Sequence, residues 1–240
     1  MDVLTIASMA LQGDLQRMDV ISQNLANAST TGYKRQIHVQ RPFGSFLQGE
    51  EAVNRGANAG DAHRMARDMR AGALRATGVA LDVAIDGDGY FEVMTDKGVA
   101  YTRQGQLRID ARGRLATAQG AALMGKGGEL SVTNAPLTIQ DNGDVLQDGR
   151  VVGQIKLQRF DNPSALVSLG DGLFHQGGAR VADKPAAAKL RAGYLENANV
   201  NSTQEMIHMM ETLRHFEALQ KTVQGYDSVL QRTMQKLGEF

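Results

Sequence analysis

The 240-residue sequence contains no cysteine and no tryptophan, and it has only four prolines. The absence of cysteine excludes thiolate catalysis, cysteine-ligated zinc and a disulfide scaffold. The 26 basic and 26 acidic side chains cancel, so the chain lacks the net basic charge that is typical of nucleic-acid binding. No stretch approaches the ~18 consecutive apolar residues that a membrane span requires. The sequence therefore predicts neither a nucleic-acid partner nor an integral membrane span.

The first residues, Met1-Asp2-Val3-Leu4, are not those of a cleavable secretory signal, because the first basic residue is Arg17. We therefore expect either a cytoplasmic chain or one that is exported by a route that reads another signal.

The 27 glycines are unevenly distributed along the chain. The segments 1–31 and 194–240 contain only three of these glycines, Gly13, Gly225 and Gly238. All four prolines lie between the two segments. Glycine and proline weaken helix interiors and are common in turns. The distribution predicts a helix at each end of the chain and a turn-rich middle.

Both terminal segments carry an apolar stripe that recurs every seven residues, as in a coiled-coil seam. Ser202 followed by Glu205 fits a capping box at the start of the second helix. An ordinary core face would produce the same stripe, but each helix has little core apart from the other, and isolated helices are marginal in water. We therefore expect the stripes to pack on the partner helix and on neighbouring subunits through Leu4, Leu11, Leu15, Met18, Leu25, Met206, Met209, Leu213, Phe216, Val223 and Leu230.

The middle of the chain has short alternating runs separated by turn sequences such as Asn142-Gly143 and Asp148-Gly149. This spacing favours an antiparallel β domain over 80–192, whereas 36–79 is less regular and is interpreted as an extended connector. The predicted fold class is α+β. The helices within 1–35 and 193–240 pair in a coiled-coil-like helical domain, and the central domain is β-rich.

No catalytic, metal-binding or cofactor-binding site emerges from the sequence. Residues 120–126 have the glycine and lysine spacing of a phosphate loop, but Gly127 stands where a hydroxyl side chain is needed. Glu205 and His208 are spaced as helical metal ligands, yet residues 1–31 contain no glutamate to complete a site. We therefore expect no enzyme activity, no metal and no cofactor.

Three regions of the chain, at 22–35, within 81–105 and at 193–201, have sequences that resemble the bacterial flagellar axial proteins, the rod and hook family. Residues 22–35, SQNLANASTTGYKR, resemble the motif that closes the first helix in this family, and residues 193–201, GYLENANVN, resemble its second signature. Residues 81–91 and 101–105 resemble segments of its central β domain. The resemblance assigns the turns of these motifs to Asn24, Asn27, Thr30, Gly32, Tyr33, Glu196 and Asn199.

The resemblance implies a rod subunit that polymerises helically into a hollow shaft, transmits torque across the periplasm for motility and is exported by the flagellar type III apparatus without a cleavable signal. Its partners would be its own copies and other rod subunits. The β-rich middle is too short for a hook subunit, and the connector lacks the Phe-Gln-Asp-Leu-Leu-Tyr-like segment of the distal rod, which favours the proximal-rod type. The alternatives are a distal-rod or hook-type subunit, and a soluble β-domain binding module with a dimerising helical stalk.

Overall fold

A computed structural model of the chain describes residues 3–39, 64–133, 135–183 and 187–237. The chain divides into two compact units. The helical unit comprises Met1–Ala26, Gln36–Ala66 and Asn201–Phe240, and the β unit comprises Asn27–Arg35 and Arg67–Val200. Residues 40–63 of the predicted connector lie outside the described residues, so the connector stays a prediction there.

The helical unit contains α1 (Val3–Ala26) and α2 (Ser202–Leu237), which pack against each other. Helix α1 ends at Ala26, and the residues up to 35 form turns that belong to the β unit. The predicted capping box is wrong. The Asn201 Oδ1 atom caps α2 by accepting hydrogen bonds from the backbone nitrogens of Thr203 and Gln204, at 3.1 and 3.2 Å.

Within the described residues the chain forms eighteen short strands. They are β1 (Gln36–Val39), β2 (Arg64–Arg67), β3 (Leu74–Ala76), β4 (Val83–Asp86), β5 (Tyr90–Thr95), β6 (Gly98–Thr102), β7 (Leu107–Ile109), β8 (Leu115–Thr117), β9 (Ala122–Gly125), β10 (Gly128–Glu129), β11 (Leu137–Ile139), β12 (Asp144–Gln147), β13 (Arg150–Gln154), β14 (Leu157–Gln158), β15 (Val167–Gly170), β16 (Leu173–His175), β17 (Lys189–Ala192) and β18 (Tyr194–Glu196).

The main sheet of the β unit has nine strands in the order β15-β16-β6-β5-β9-β8-β7, with β10 paired to β9 and β14 paired to β5. Strands β11, β12 and β13 form a second sheet, β17 pairs with β4, and β18 pairs with β3. The hairpin at Asp148-Gly149 joins β12 to β13, and both turn residues have positive φ, 49° and 75°. The predicted antiparallel β domain is confirmed.

Two hydrophobic clusters lie inside the β unit. The larger surrounds Phe91, Leu123 and Leu190, each at most 1% exposed. The smaller is aromatic, and Phe160 contacts Tyr90 and Tyr101 edge-on with ring centroids 5.8 and 4.9 Å apart. The β unit therefore has a core of its own.

Candidate functional site

The turn that follows α1 lies against the residues that follow β18. The Gly32 backbone nitrogen donates a hydrogen bond to the Glu196 carbonyl at 2.8 Å, and the Asn199 nitrogen donates to the Tyr33 carbonyl at 3.3 Å. The Asn199 side chain accepts a hydrogen bond from the Arg35 nitrogen at 2.7 Å and donates one to the Asp68 carbonyl at 2.8 Å. The two terminal motifs are thus joined in the β unit.

The turn is also closed by its own residues. The Thr30 nitrogen and hydroxyl donate to the Asn27 carbonyl and side-chain oxygens, at 3.0 and 3.2 Å. Gly32 has a left-handed φ of 67°, but it lies six residues beyond the end of α1 and therefore does not end that helix. Asn24 differs from the other predicted turn residues, because it lies within α1 in the helical unit.

A buried ion cluster lies directly beside this turn. The Glu196 carboxylate accepts hydrogen bonds from the Lys34 ammonium at 2.6 Å, the Gly72 backbone nitrogen at 3.0 Å and the Arg103 guanidinium at 3.1 Å. Lys34 and Glu196 are each 1% exposed and Arg103 is 4% exposed. One carboxylate is therefore the shared counter-ion of two buried cations, and each member depends on the others for compensation of its lost hydration.

The surplus positive charge of the ion cluster is stabilised by two backbone carbonyl groups and by an aromatic ring. Lys34 also donates to the Arg70 carbonyl at 2.8 Å, and Arg103 donates to the Gly87 carbonyl at 2.9 Å. The Arg103 guanidinium carbon lies 5.2 Å from the centre of the Tyr90 ring. Burial lowers the pKa of Lys34 below its usual 10.5, while the Glu196 carboxylate acts in the opposite direction.

Tyr90 gives this region a measurable response to alkali. Burial raises the pKa of the Tyr90 phenol from 10.0 to about 12, against the opposing effect of Arg103. Between these values the folded chain keeps a proton that the unfolded chain releases, so stability falls as the pH rises. We expect wild type to lose about 2 kcal/mol more unfolding free energy than Tyr90→Phe between pH 10 and 12.

Urea denaturation across this pH range would measure the difference. Tyr194→Phe is the matched control, because Tyr194 is only partly buried and the same hydroxyl is removed there. Parallel pH profiles for wild type and Tyr90→Phe would contradict the prediction.

Asn24 holds the helical unit together through polar contacts. Its side-chain amide donates to the Gln36 carbonyl of β1 at 2.9 Å and to the Glu205 carboxylate of α2 at 3.3 Å. Its side-chain oxygen accepts a hydrogen bond from the Gln36 nitrogen at 2.8 Å. Because Asn24 and Glu205 are each 1% exposed, these contacts replace hydration that both groups have lost.

The predicted stripe residues are incompletely covered in the helical unit. Partly buried side chains are Leu4, Leu11, Met18, Leu25, Met209, Phe216 and Val223. Leu15, Met206 and Leu213 are 52%, 51% and 42% exposed, and the side chain of Leu230 lies outside what the structure describes. Among the hydrophobic side chains that the structure describes in this unit, only those of Val20 and Ile21 are buried. The helix pair therefore leaves a substantial part of its apolar surface exposed.

The described residues contain no cluster of three or more histidine, aspartate or glutamate side chains placed to hold a metal ion. Within the same residues, neither helix combines the length and apolar character needed to cross a membrane. Glu205 and His208 do not act as a pair, since Glu205 contacts Asn24 and His208 contacts Glu211 at 3.4 Å.

The chain is similar to known flagellar proteins along almost its whole length. It is 31% identical over 258 residues to the flagellar basal-body rod protein FlgG of Buchnera aphidicola subsp. Acyrthosiphon pisum, covering 97% of this chain and 98% of that protein. This chain belongs to the flagellar basal-body rod protein family. The rod protein FlgF of Caulobacter vibrioides is 29% identical with both chains fully covered, and FlgG of Bacillus subtilis is 29% identical over 90% of this chain and 91% of that protein.

Three models of this flagellar family match separate segments. "Flagella basal body rod protein" matches residues 4–34, "Flagellar hook protein FlgE/F/G D1 domain" matches 84–152, and "Flagellar basal body rod FlgEFG protein C-terminal" matches 191–236. Lys34, Arg103 and Glu196 each come from a different one of these segments. In this rod-family chain, the ion cluster therefore joins all three matched regions.

The sequence reasoning missed Lys34 and Arg103 as members of a site. Both stand inside segments that carried the family resemblance, within Gly32-Tyr33-Lys34 and Thr102-Arg103-Gln104. The available signal was that two cations and Glu196 occupy the motifs themselves, but spacing along the chain does not reveal that they meet.

Proposed function

We propose that this rod subunit is of the proximal-rod type and polymerises helically into a hollow shaft that transmits torque across the periplasm. The observation that carries the proposal is the exposed apolar surface of the helical unit, which contrasts with the buried hydrophobic core of the β unit. Apolar side chains that one chain leaves in water gain roughly 1.5–3 kcal/mol each when neighbours bury them. Head-to-tail contacts of this kind extend into a filament when they do not close into a ring.

The surface proposed for assembly is the exposed apolar face at the start of α2. Met206, Met210 and Leu213 recur at intervals of four and three residues, and they therefore lie on one side of the helix. They are 51%, 53% and 42% exposed, and Ile207, 46% exposed, lies beside them. In the proposed shaft, this face packs on the helices of neighbouring subunits, and Leu15 of α1 makes a second contact with them.

The similarity to a rod protein supports a rod subunit over a hook subunit. The alignment with the Buchnera rod protein spans 98% of that protein. Relatives named FlgG and FlgF are both rod proteins, and we assign this chain to the proximal type because it lacks the distal-type segment in residues 36–79. We further propose export through the flagellar type III apparatus.

Polar substitutions on the exposed face test the assembly proposal. In a strain whose only copy carries Met206→Gln and Leu213→Gln, we expect no complete rod and no swimming, because the neighbour contact loses its apolar surface. The unfolding free energy of the purified subunit should change by less than about 0.5 kcal/mol, since both residues are exposed in the subunit.

The matched control replaces exposed polar residues of the same helix, Gln204→Ser with Gln220→Ser, and should assemble normally. Electron microscopy of basal bodies gives the readout. Intact rods with the double glutamine variant, or a purified wild-type chain that stops at a dimer, would favour the soluble binding module instead. Deletion of the subunit should remove the rod entirely, whereas a remaining rod stub would assign the chain to the distal type.

A further inference from the structure

The two helices of the helical unit are connected by two polar contacts, in which Asp14, Asn24 and Glu205 are buried and His215 is exposed. The Asp14 carboxylate of α1 accepts a hydrogen bond from the His215 Nδ1 atom of α2 at 2.6 Å, and the Asp14 side chain is only 4% exposed. The second contact joins Asn24 to Glu205 at 3.3 Å, and both residues are 1% exposed. Asp14, Asn24 and Glu205 have thus exchanged water for a partner on the opposite helix, whereas the His215 side chain is still 61% exposed.

Both contacts belong to a single antiparallel register. Asp14 and Asn24 are ten residues apart on α1, and their partners His215 and Glu205 are ten residues apart in the opposite direction on α2. The apolar stripes do not define this register, because they repeat every seven residues on both helices. A displacement by seven residues, about 10 Å along the axis, would again align leucine and methionine side chains.

The polar residues distinguish the observed register from these displaced ones. In one direction, a seven-residue displacement brings His208 opposite Asp14 but leaves Asn24 opposite Ala198, which precedes α2. In the other direction, Asp14 faces Thr222 and Asn24 faces Thr212. The first displacement thus keeps an aspartate–histidine pair but loses the contact of Asn24 with Glu205. The second displacement keeps neither kind of pair.

We infer that Asp14–His215 and Asn24–Glu205 are the positioning residues that fix the register of α1 against α2. Apolar seams supply affinity without choosing among equivalent alignments, and a buried polar pair excludes the alignments that leave it without a partner. This inference concerns contacts within one chain, and it holds whether or not the chain polymerises.

The absence of native cysteine permits a direct test by disulfide pairing in the purified full-length chain. Ala10 lies four residues before Asp14, and Leu219 lies four residues after His215, so Ala10→Cys with Leu219→Cys reports the observed register. Ala10→Cys with Thr212→Cys reports the displacement that brings His208 opposite Asp14. In a glutathione redox buffer, we expect the first pair to form its intrachain disulfide at least about tenfold more favourably than the second.

Introducing Asn24→Leu and Glu205→Leu should reduce this preference to within about threefold, because the displaced alignment keeps an aspartate–histidine pair and is disfavoured by the loss of the Asn24–Glu205 contact. Glu205→Gln, which keeps a hydrogen-bond acceptor for the Asn24 amide, should retain the wild-type preference. Gln12→Leu with Arg214→Leu adds the same apolar surface at exposed positions and should leave the preference unchanged. The inference is overturned if the wild-type background forms both disulfides equally, or if the leucine pair keeps the full preference while its circular dichroism shows normal helix content.

Discussion

Replacing Glu196 with glutamine is expected to destabilise the β unit by about 3–5 kcal/mol, because it leaves two buried cations without a counter-charge. The amide cannot reproduce the geometry of the carboxylate. One carboxylate oxygen accepts from Lys34 and Gly72, and the other accepts from Arg103. Whichever way the amide is turned, its NH₂ group faces a donor that carries positive charge.

Urea denaturation followed by tyrosine fluorescence would measure this loss in the tryptophan-free chain. Glu129→Gln is the matched control, because it makes the same substitution in an ion pair with Arg114 whose glutamate side chain is 40% exposed. Exposed pairs contribute about 0–1 kcal/mol, so the control should lose no more than that. Equal effects of the two substitutions would show that the ion cluster does not contribute through burial.

The deficit of Glu196→Gln should shrink as the pH rises from neutrality towards 10. Burial lowers the pKa of Lys34, and the substitution removes the carboxylate that opposes this shift. A lowered pKa means that the unfolded chain binds more protons than the folded chain over the interval below 10.5, so stability rises with pH there. A deficit that stays constant with pH would argue against a charged Lys34 as the cause.

Gly32→Ala is expected to cost about 2–5 kcal/mol through two separate effects. A residue with a Cβ atom loses about 1–2 kcal/mol at a left-handed φ such as the 67° of Gly32. The added Cβ atom would also lie 2.8 Å from the Arg103 carbonyl carbon and 2.9 Å from the Gln104 nitrogen. Both are backbone atoms, and overpacking of this kind costs about 1–3 kcal/mol.

Gly78→Ala separates these two effects. Gly78 has nearly the same φ, 70°, but its Cβ atom would meet nothing within 4 Å. The difference in unfolding free energy between the two alanine variants therefore measures the close approach of the turn to Arg103. Gly32→Val should be more harmful and should also impair rod assembly. Equal losses for the two alanine variants, or normal incorporation of Gly32→Val into rods, would contradict this interpretation.

The helices and hairpins could be predicted because their signals are local. Seven-residue stripes mark α1 and α2, and pairs such as Asp148-Gly149 mark tight turns whose backbone needs positive φ. The end of α1 was harder to place. Gly32 has the conformation of a helix-ending residue, but the helix stops at Ala26 because Asn27 and Thr30 close a separate turn.

The ion cluster could not be predicted from the sequence, because it depends on which distant segments meet. Arg103 follows a strand in the middle of the chain, and it reaches Glu196 only when β18 pairs with β3 beside it. The polar contacts between the helices were missed for a different reason. Asp14 and His215 flank the apolar stripes, and a polar side chain next to a seam normally faces solvent.

The bond between Lys34 and Glu196 spans 162 positions of the sequence. If the chain passes through an export channel as an unfolded polypeptide, Lys34 and Glu196 leave the channel at different times, whichever terminus is exported first. The β unit cannot close until most of its length has emerged, since the late-arriving ion would otherwise leave its counterpart buried alone. Such a closure delays folding, and it would keep the chain unfolded during the export that we propose.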